Sequence, residues 1–431
     1  MTVLREPMGL KIYRAASRAA EPIANYALDR RLKAGKESAD RIGERRGVAT
    51  RERPPGKLIW IHGVSVGESI SVLPLVEKLK AHLPDATLLV TTGTTTSAAL
   101  MAERLPDDAL HQFIPLDHPD FVKAFLDHWR PDAAIFVESE FWPNLILQTR
   151  RAAPFMALIN GRMSPKSFAD WQSQPNAIRY ILSSFDLMLG QDLQNAERLQ
   201  TLAKRSVVTF GNLKNAAPPL PAAEDDLAAL KNVIGERICW LAASTHPGEE
   251  EIIIAAHKQL RRDFPTLLTI IAPRHPKRGA EIAALAQQAG ASPALRSRKE
   301  PITDDTQIYI ADTLGELGLF YRISDIAFVG GSITPKGGHN PLEPARLSAS
   351  ILHGPETFNF VETYADMRKA GGAALVRNDR ELATAVRRLL SDAKTRHAMA
   401  AAARDAAEAN AALTLNDITG RLLDAMKKSA G

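Results

Sequence analysis

Five short stretches carry residue types that do chemistry, and each follows a run of β-branched or aliphatic residues. "WIHGVSVGES", residues 60–69, passes from an apolar run through two glycines to one carboxylate, Glu68. Glycine permits a tight turn and a close approach of ligand to backbone. Glu68 then reads either as a proton acceptor or as a first-turn acid that complements a helix dipole. "VESEFWPN" sends Glu138 and Glu140 out on one side of an extended segment, because strand side chains repeat with period two. Such a pair could exchange protons, hold a metal, grip a basic ligand or pair with a neighbouring Arg or Lys. "TTGTTTSAAL" offers hydroxyls to a sugar or phosphate, and equally to a helix cap. "APRHPKRG" sets Arg274 and His275 at a strand end with Lys277 and Arg278 behind them, and the guanidinium fork suits phosphate. "FVGGSITPKGGHNPLEPARL" is the richest, with two glycine pairs leading to Asn340, Pro341, Leu342 and Glu343 at the opening of a helix. A helix N-terminus can receive phosphate, and Glu343 could accept from ribose hydroxyls. Asn340 as cap and Pro341 in the first turn also serve a helix alone, but two glycine pairs are not needed for that.

Several motifs are missing. GxxxxGK[ST], CxxC, HExxH and GxGxxG do not occur, and the nearest approach to a D-x-D metal chelator is Glu138-Ser139-Glu140.

The elements that must position these residues alternate. Strand-like runs such as "LIWIH", "TLLVTT", "AAIFVES" and "FMALIN" are separated by amphipathic segments such as "SVLPLVEKLKAHL". This alternation predicts βαβ units on a parallel sheet. It stops at "GNLKNAAPPLPAAEDD", residues 211–226, and restarts with "RICWLAAS", "LLTIIAP" and "DIAFVGG". The expected organisation is α/β: a Rossmann-like domain over 57–210, a proline-rich linker over 211–226, and a second Rossmann-like domain over 227–400. A basic segment over 1–56 precedes them and an alanine-rich helical tail over 401–431 follows. Ligands of open α/β sheets bind beyond the carboxyl ends of the strands. Two parallel sheets facing one another would therefore place the chemistry in a cleft.

The 431 residues carry a net charge of +5, and its location is uneven. Residues 1–56 hold 13 Lys/Arg against 7 Asp/Glu, so the positive excess belongs to that segment. This suits an anionic surface such as membrane lipid, or a solvated arm, and no nucleic-acid partner is expected. Within it Ile12, Ala16, Ala19, Ile23 and Tyr26 fall near one helical face, with Lys11, Arg14 and Arg18 around it and Pro22 interrupting. No run of about 20 apolar residues and no signal-peptide core is present. A single cysteine, Cys239, excludes an internal disulfide and suits a reducing compartment.

In order along the chain, "HGVSVGES", "ESEFWPN", "INGRMSPKS", "GNLK", "ASTHPGEE", "APRHPKR", "DTLGELGLFY", "GGSITPKGGHNPLEP" and "GPETFNF" resemble the 3-deoxy-D-manno-octulosonic acid (Kdo) transferases of lipopolysaccharide assembly. These are glycosyltransferases of the GT-B fold, and together the motifs are highly specific. The resemblance implies inverting transfer of Kdo from CMP-Kdo to a hydroxyl of the lipid A precursor, lipid IVA. It implies release of CMP at the cytoplasmic face of the inner membrane. It makes Glu68 the general base, with Glu138 and Lys214 supporting the transition state. It places CMP on Pro273 and Arg274, on Leu314, Gly315 and Glu316, and on Asn340, Pro341, Leu342 and Glu343. No cofactor and no metal are implied, since arginine and a helix N-terminus can stabilise a phosphate leaving group. The family commonly begins with a hydrophobic anchor, where this sequence has a short basic amphipathic segment. A nucleotide-sugar epimerase of the same two-domain fold is the competing enzyme class.

Overall fold

The structure is a computed structural model and describes residues 4–209 and 211–430. The apolar runs become two seven-stranded sheets. The first holds β1 (Leu58–His62), β2 (Thr87–Thr92), β3 (Leu110–Phe113), β4 (Ala133–Val137), β5 (Phe155–Gly161), β6 (Leu187–Gly190) and β7 (Val208–Thr209). The second holds β8 (Cys239–Thr245), β9 (Leu268–Pro273), β10 (Pro293–Leu295), β11 (Ile308–Ile310), β12 (Ile326–Val329), β13 (Ser350–His353) and β14 (Ala373–Leu375). All neighbouring strands run parallel.

Continuous apolar runs are the expected sequence of strands covered on both faces. In β1 the alternation is direct: Leu58 and Trp60 enter one buried cluster with Phe125, Trp129 and Phe136, while Ile59 and Ile61 enter another with Val72, Val76 and Leu79. In β8, Trp240 and Ala242 face one cluster while Leu241 and Ala243 face the other. The amphipathic segments supply the helices that close these faces.

The strand orders, β3-β2-β1-β4-β5-β6-β7 and β10-β11-β9-β8-β12-β13-β14, each reverse direction beside their first strand, and in the second β11 is also inserted between β9 and β10. The reversal falls between β1 and β4 in the first sheet and between β8 and β12 in the second. Chain segments leaving those paired strands diverge, which opens a crevice at their carboxyl ends.

Described residues up to Pro218, together with those from Ala411 onward, form one compact unit, and Pro219–Asn410 form the other. The tail expected from 401 is part of one helix, Ala393–Ala430, which begins in the second unit and ends in the first. Its Ile418 and Leu422 are fully buried in the cluster that contains Ile59 and Leu213. Within 211–226, Leu213–Ala216 is a short 3-10 helix, Glu224 begins a helix, and 211–212 and 217–223 are irregular.

The basic N-terminal segment folds as helices Met8–Ala19 and Glu21–Lys33, with Pro22 in the first turn of the second, and a 3-10 helix Ala39–Arg46. Several of its cations are committed. Arg18 grips Asp120 through Nε and Nη2, Arg45 pairs with the buried Glu37, and Arg41 forks onto the buried Glu44. Leu10 and Leu28 pack inward, whereas Met8, Ile12, Ile23 and Tyr26 are left exposed.

Candidate functional site

In the first unit the chain leaves β1 through Gly63 and Val64, and Ser65 opens the helix Val66–His82. Ser65 Oγ accepts from the Glu68 N–H at 3.3 Å, and the Glu68 carboxylate reaches back to the Val64 N–H (2.7 Å) and the Ser65 hydroxyl (2.8 Å). This is a relative of the capping box S-x-x-E. Glu68 is therefore a helix acid, and each of its oxygens still has a lone pair to offer. It is 8% exposed. Burial raises its pKa, the Val64 N–H, the Ser65 hydroxyl and Lys214 oppose the rise, and the charge of Glu138 adds to it.

Glu138 stands immediately beyond β4 with φ +63°, and Asn160 in β5 has φ +51°. β5 carries a bulge between Leu158 and Gly161, so both departures cluster at the carboxyl end of neighbouring strands. Non-glycine residues in this region carry strain and collect at functional sites. Asn160 Oδ1 accepts from the Leu213 N–H at 2.9 Å, and Asn212 Oδ1 accepts from the Lys214 N–H at 3.0 Å. The 3-10 turn so fixed sets Lys214 Nζ 2.6 Å from Glu138 Oε1, an ion pair whose carboxylate is buried. Glu140 also has a raised pKa, through burial first, with the Trp142 indole opposing and Glu68 and Glu138 adding charge. Three carboxylates and one ammonium thus form a single electrostatic group beside the β1–β4 reversal.

The threonine run does structural work. Thr94 caps the helix Thr95–Arg104 through Ser97 N, Thr91 binds the Trp60 indole and His62, and Thr92 binds His111.

The second unit departs from the sequence reading at its glycine pairs. Gly331, Ser332 and Ile333 all donate their N–H groups to Glu249, at 2.7, 2.9 and 2.9 Å, and His246 N donates to it at 3.0 Å. Gly330 N donates to Ala243 O. The amides at the first glycine pair are filled by a fully buried carboxylate of the same chain. The helix that follows, Leu342–Arg346, is one turn of five residues, too short for much of a dipole. The positive charge near it is carried by side chains. Arg274 is exposed at the end of β9, with its N–H bound to Thr245 O. Its charge reaches Glu343, whose pKa burial raises against a hydrogen bond from Asn340 and the charges of Arg346 and Arg274. Asn340 Oδ1 also accepts from the Leu342 N–H, as a cap would, and Pro341 and Leu342 are buried. Pro273 closes β9. Arg278 is held by Glu250 and Glu281.

Glu316 lies apart from that group. Arg296 clasps its carboxylate through Nε (2.7 Å) and Nη2, and the Thr313 hydroxyl donates to the same carboxylate. These bonds depress the Glu316 pKa, the Arg296 contact most. Gly315 before it has φ +83°, and Leu314 is 81% exposed. A cavity of about 490 Å³ adjoins them, lined by Arg296, Tyr309, Thr313 and Glu316. Among the described residues no three His, Cys, Asp or Glu side chains converge on a metal position.

A raised acid beside an ion-paired lysine in one unit, and an arginine-rich strand end in the other, suit proton abstraction and anion binding. Comparison with known proteins gives these groups a context. The family described as 3-deoxy-D-manno-octulosonic-acid transferase (kdotransferase) matches residues 40–217. The chain is 34% identical to the 3-deoxy-D-manno-octulosonic acid transferase of Rickettsia bellii over 389 residues, covering 90% of this chain and 92% of that protein. It is 35% identical to the probable mitochondrial 3-deoxy-D-manno-octulosonic acid transferase of Arabidopsis thaliana over 95% of this chain and 94% of that one. The chain belongs to the Kdo transferase family.

Solved structures add the fold. A glycosyltransferase from Rickettsia africae superposes with a TM-score of 0.57 at 14% identity over 88% of this chain and 99% of its own. The UDP-GlcNAc 2-epimerase of Neisseria meningitidis gives 0.54 at 13% over 86% of this chain and 100% of its own. The Kdo transferase thus has the GT-B-type arrangement of two Rossmann-like sheets. Of the residues singled out by sequence, Glu68, Glu138, Glu140 and Lys214 come together. Arg274, Asn340 and Glu343 come together as well, and Glu316 joins Arg296 instead. Asn160, Glu249 and Arg296 were not anticipated. "THPGEE" and "INGRM" held the signal, but their partners lie far away in sequence.

Proposed function

We propose that this Kdo transferase moves Kdo from CMP-Kdo to a hydroxyl of the lipid A precursor, lipid IVA, with inversion and release of CMP. The observation that carries the reading is the Glu68–Glu138–Lys214 group at the β1–β4 reversal. Glu68 is buried, its pKa is raised, and it is held by a backbone amide and a serine hydroxyl, which suits a base that receives the proton of an attacking hydroxyl. As that oxygen bonds to the anomeric carbon, the bond to the phosphate oxygen breaks and its electron pair leaves with CMP. Lys214, fixed through Asn160 and Asn212 and paired with Glu138, offers a positioned cation to developing negative charge. Arg274, Asn340 and Glu343 would hold the nucleotide, with Pro273, Pro341 and Leu342 shaping the wall. Leu314, Gly315 and Glu316 would complete it. In this reading the two units correspond to an acceptor domain and a donor domain.

The acceptor is an acylated, phosphorylated disaccharide in the cytoplasmic leaflet of the inner membrane. Met8, Ile12, Ile23 and Tyr26 project from the two N-terminal helices, beside Lys11, Arg30 and Lys33. An apolar stripe flanked by cations suits docking on an anionic membrane surface. No helix among the described residues is long and apolar enough to cross a membrane.

Incubation with CMP-Kdo and lipid IVA, followed by mass spectrometry of the lipid, tests the reading: the product gains Kdo and Glu68→Gln abolishes the gain. Consumption of CMP-Kdo without a heavier lipid would overturn the acceptor and leave the epimerase class, whose members share this fold, in its place. Full activity of Glu68→Gln would overturn the base.

A further inference from the structure

His246 and His339 meet across the β8–β12 reversal, and nothing in the reaction outlined above uses them. Their Nε2 atoms are 2.9 Å apart, and their rings are parallel within 3° with centroids separated by 5.2 Å. His275 stands against His246 at 5.8 Å, with its plane turned by 89°. An Nε2···Nε2 contact of this length needs one N–H between two lone pairs, so one ring donates and the other accepts. The pair can gain one further proton on Nδ1 of the donating ring without losing the contact. It can therefore switch between neutral and +1 with little movement.

The groups that face the pair come from every neighbouring element. Arg274, His275 and Arg278 follow β9, and Lys336 shares the loop of His339. Burial first, then these cations and the partner ring, hold both imidazoles below their ordinary range, His339 at about 4. The carboxylates on the helix Glu249–Leu260 are already committed, Glu249 to four backbone amides and Glu250 to Arg278 and the Thr245 hydroxyl. Glu343 is engaged by Asn340 and Arg346. Tyr364 donates to His339 O, packs tilted against His353, and carries no charge to the pair. The Thr334 hydroxyl in the same loop is buried with no hydrogen-bond partner. With its amide nest filled by Glu249, this strand end gathers cations, two titratable rings and an orphaned hydroxyl, an environment that lacks an anion.

We propose that the His246–His339 pair is a proton-coupled ligand for the phosphate of the donor nucleotide, taking up one proton as the phosphate binds. The inference rests on the reading that this unit binds CMP. The phosphate, singly charged in the diester of CMP-Kdo and able to carry a second charge in CMP, offsets the surrounding positive charge and favours the protonated pair, so proton and nucleotide binding assist each other. The captured charge then lies where negative charge grows as the sugar–phosphate bond breaks.

Isothermal titration of the full chain with CMP near neutral pH, in buffers of low and high ionisation enthalpy, measures the protons taken up. About one proton per CMP is expected, and none with cytidine, which lacks the phosphate. His246→Asn and His339→Asn proteins, with thermal unfolding near wild type, should bind CMP about tenfold or more weakly and without proton uptake. Heats independent of the buffer in the wild type would overturn the proposal, as would uptake that persists in both variants. If CMP bound with no proton uptake, the donor-domain reading would stand and only this proposal would fall. If CMP did not bind at all, both would fall. Imidazole ¹⁵N spectra of unsubstituted protein give a second measure: the Nδ1 signal of the donating ring must shift toward the protonated form with CMP and stay put with cytidine.

Discussion

Glu249→Gln is the sharpest probe of how the second unit is built. The wild-type carboxylate is fully buried and accepts four N–H groups, two on each oxygen: Ser332 and Ile333 on Oε1, Gly331 and His246 on Oε2. Glutamine keeps one acceptor oxygen and turns an NH₂ group toward the other two donors. A hydrogen bond to a charged acceptor contributes about 1.5–3 kcal/mol, and a buried donor left without a partner costs about 1–3 kcal/mol. Two donors orphaned and two charged acceptors made neutral sum to about 4 kcal/mol after local relaxation. That is a large part of the roughly 5–15 kcal/mol stability of a domain. At about 2–4 °C per kcal/mol for a unit of this size, its calorimetric transition should fall by about 10 °C. The transition of the other unit should stay in place. Hydrogen exchange gives the local reading, since amides 331–333 should lose protection before the rest of β12. CMP affinity should fall as well, because the loop that carries His339 begins at these amides. A Glu249→Gln protein that melts within about 2 °C of wild type, with amides 331–333 still protected, would refute the reasoning.

Three other outcomes are expected. The acid limb of the pH–rate profile reports loss of the ionised Glu68 as pH falls through its raised pKa. Glu138→Gln removes a charge that raises this pKa and should move the limb to lower pH, whereas Lys214→Met should move it higher; kcat/KM profiles of the two variants check both signs. Replacing Ile12 and Ile23 together by Glu should reduce sedimentation with anionic lipid vesicles at least tenfold with the melting curve unchanged, because these side chains are 62% and 71% exposed; equal sedimentation would remove the stripe from the membrane. Gly47 has φ +81°, and a Cβ there would lie 2.0 Å from the Phe121 carbonyl oxygen, so Gly47→Ala should cost about 2 kcal/mol or more in the first unit; an unmoved calorimetric transition would mean that the 3-10 helix Ala39–Arg46 does not dock on the helix Pro119–Trp129.

Most of the sheet was legible in the sequence, because strands covered on both faces must be apolar throughout and so stand out as runs. "LIWIH" and "AAIFV" became β1 and β4 with every residue buried. The turn in "HGVSVGES" was legible too, since glycines between an apolar run and a helical segment mark a passage from strand to helix. It led to two competing readings of Glu68. The structure shows the helix role and leaves lone pairs open to a proton, so the two readings are compatible. The first glycine pair has a structural partner that local sequence does not show. Gly330 and Gly331 do form a turn rich in amides, but the anion that fills it is Glu249 of the same chain. A first-turn "EE" reads locally as a dipole partner, and nothing local says that one of the two turns inward to another loop.

The least legible feature is the strain. Glu138, Asn160 and Ser244 adopt positive φ at the carboxyl ends of β4, β5 and β8, and none of them is glycine. Glycine would remove about 1 kcal/mol or more of strain at each position. A chain that needed only a turn at these ends gains nothing by keeping a side chain there. At Glu138 the side chain meets Lys214, and at Asn160 it holds the turn that carries Lys214. The strain at both positions therefore serves one ammonium, that of Lys214. Ser244 breaks the register of β8 one residue before Thr245, and that kink sets the course of the backbone into His246. Its Thr245 hydroxyl binds Glu250, which in turn holds Arg278. In each unit the backbone is bent at a strand beside the sheet reversal, where polar side chains converge. The pairing of strain with reversal, repeated in two sheets, supports placing the chemistry at these edges independently of any single residue's charge.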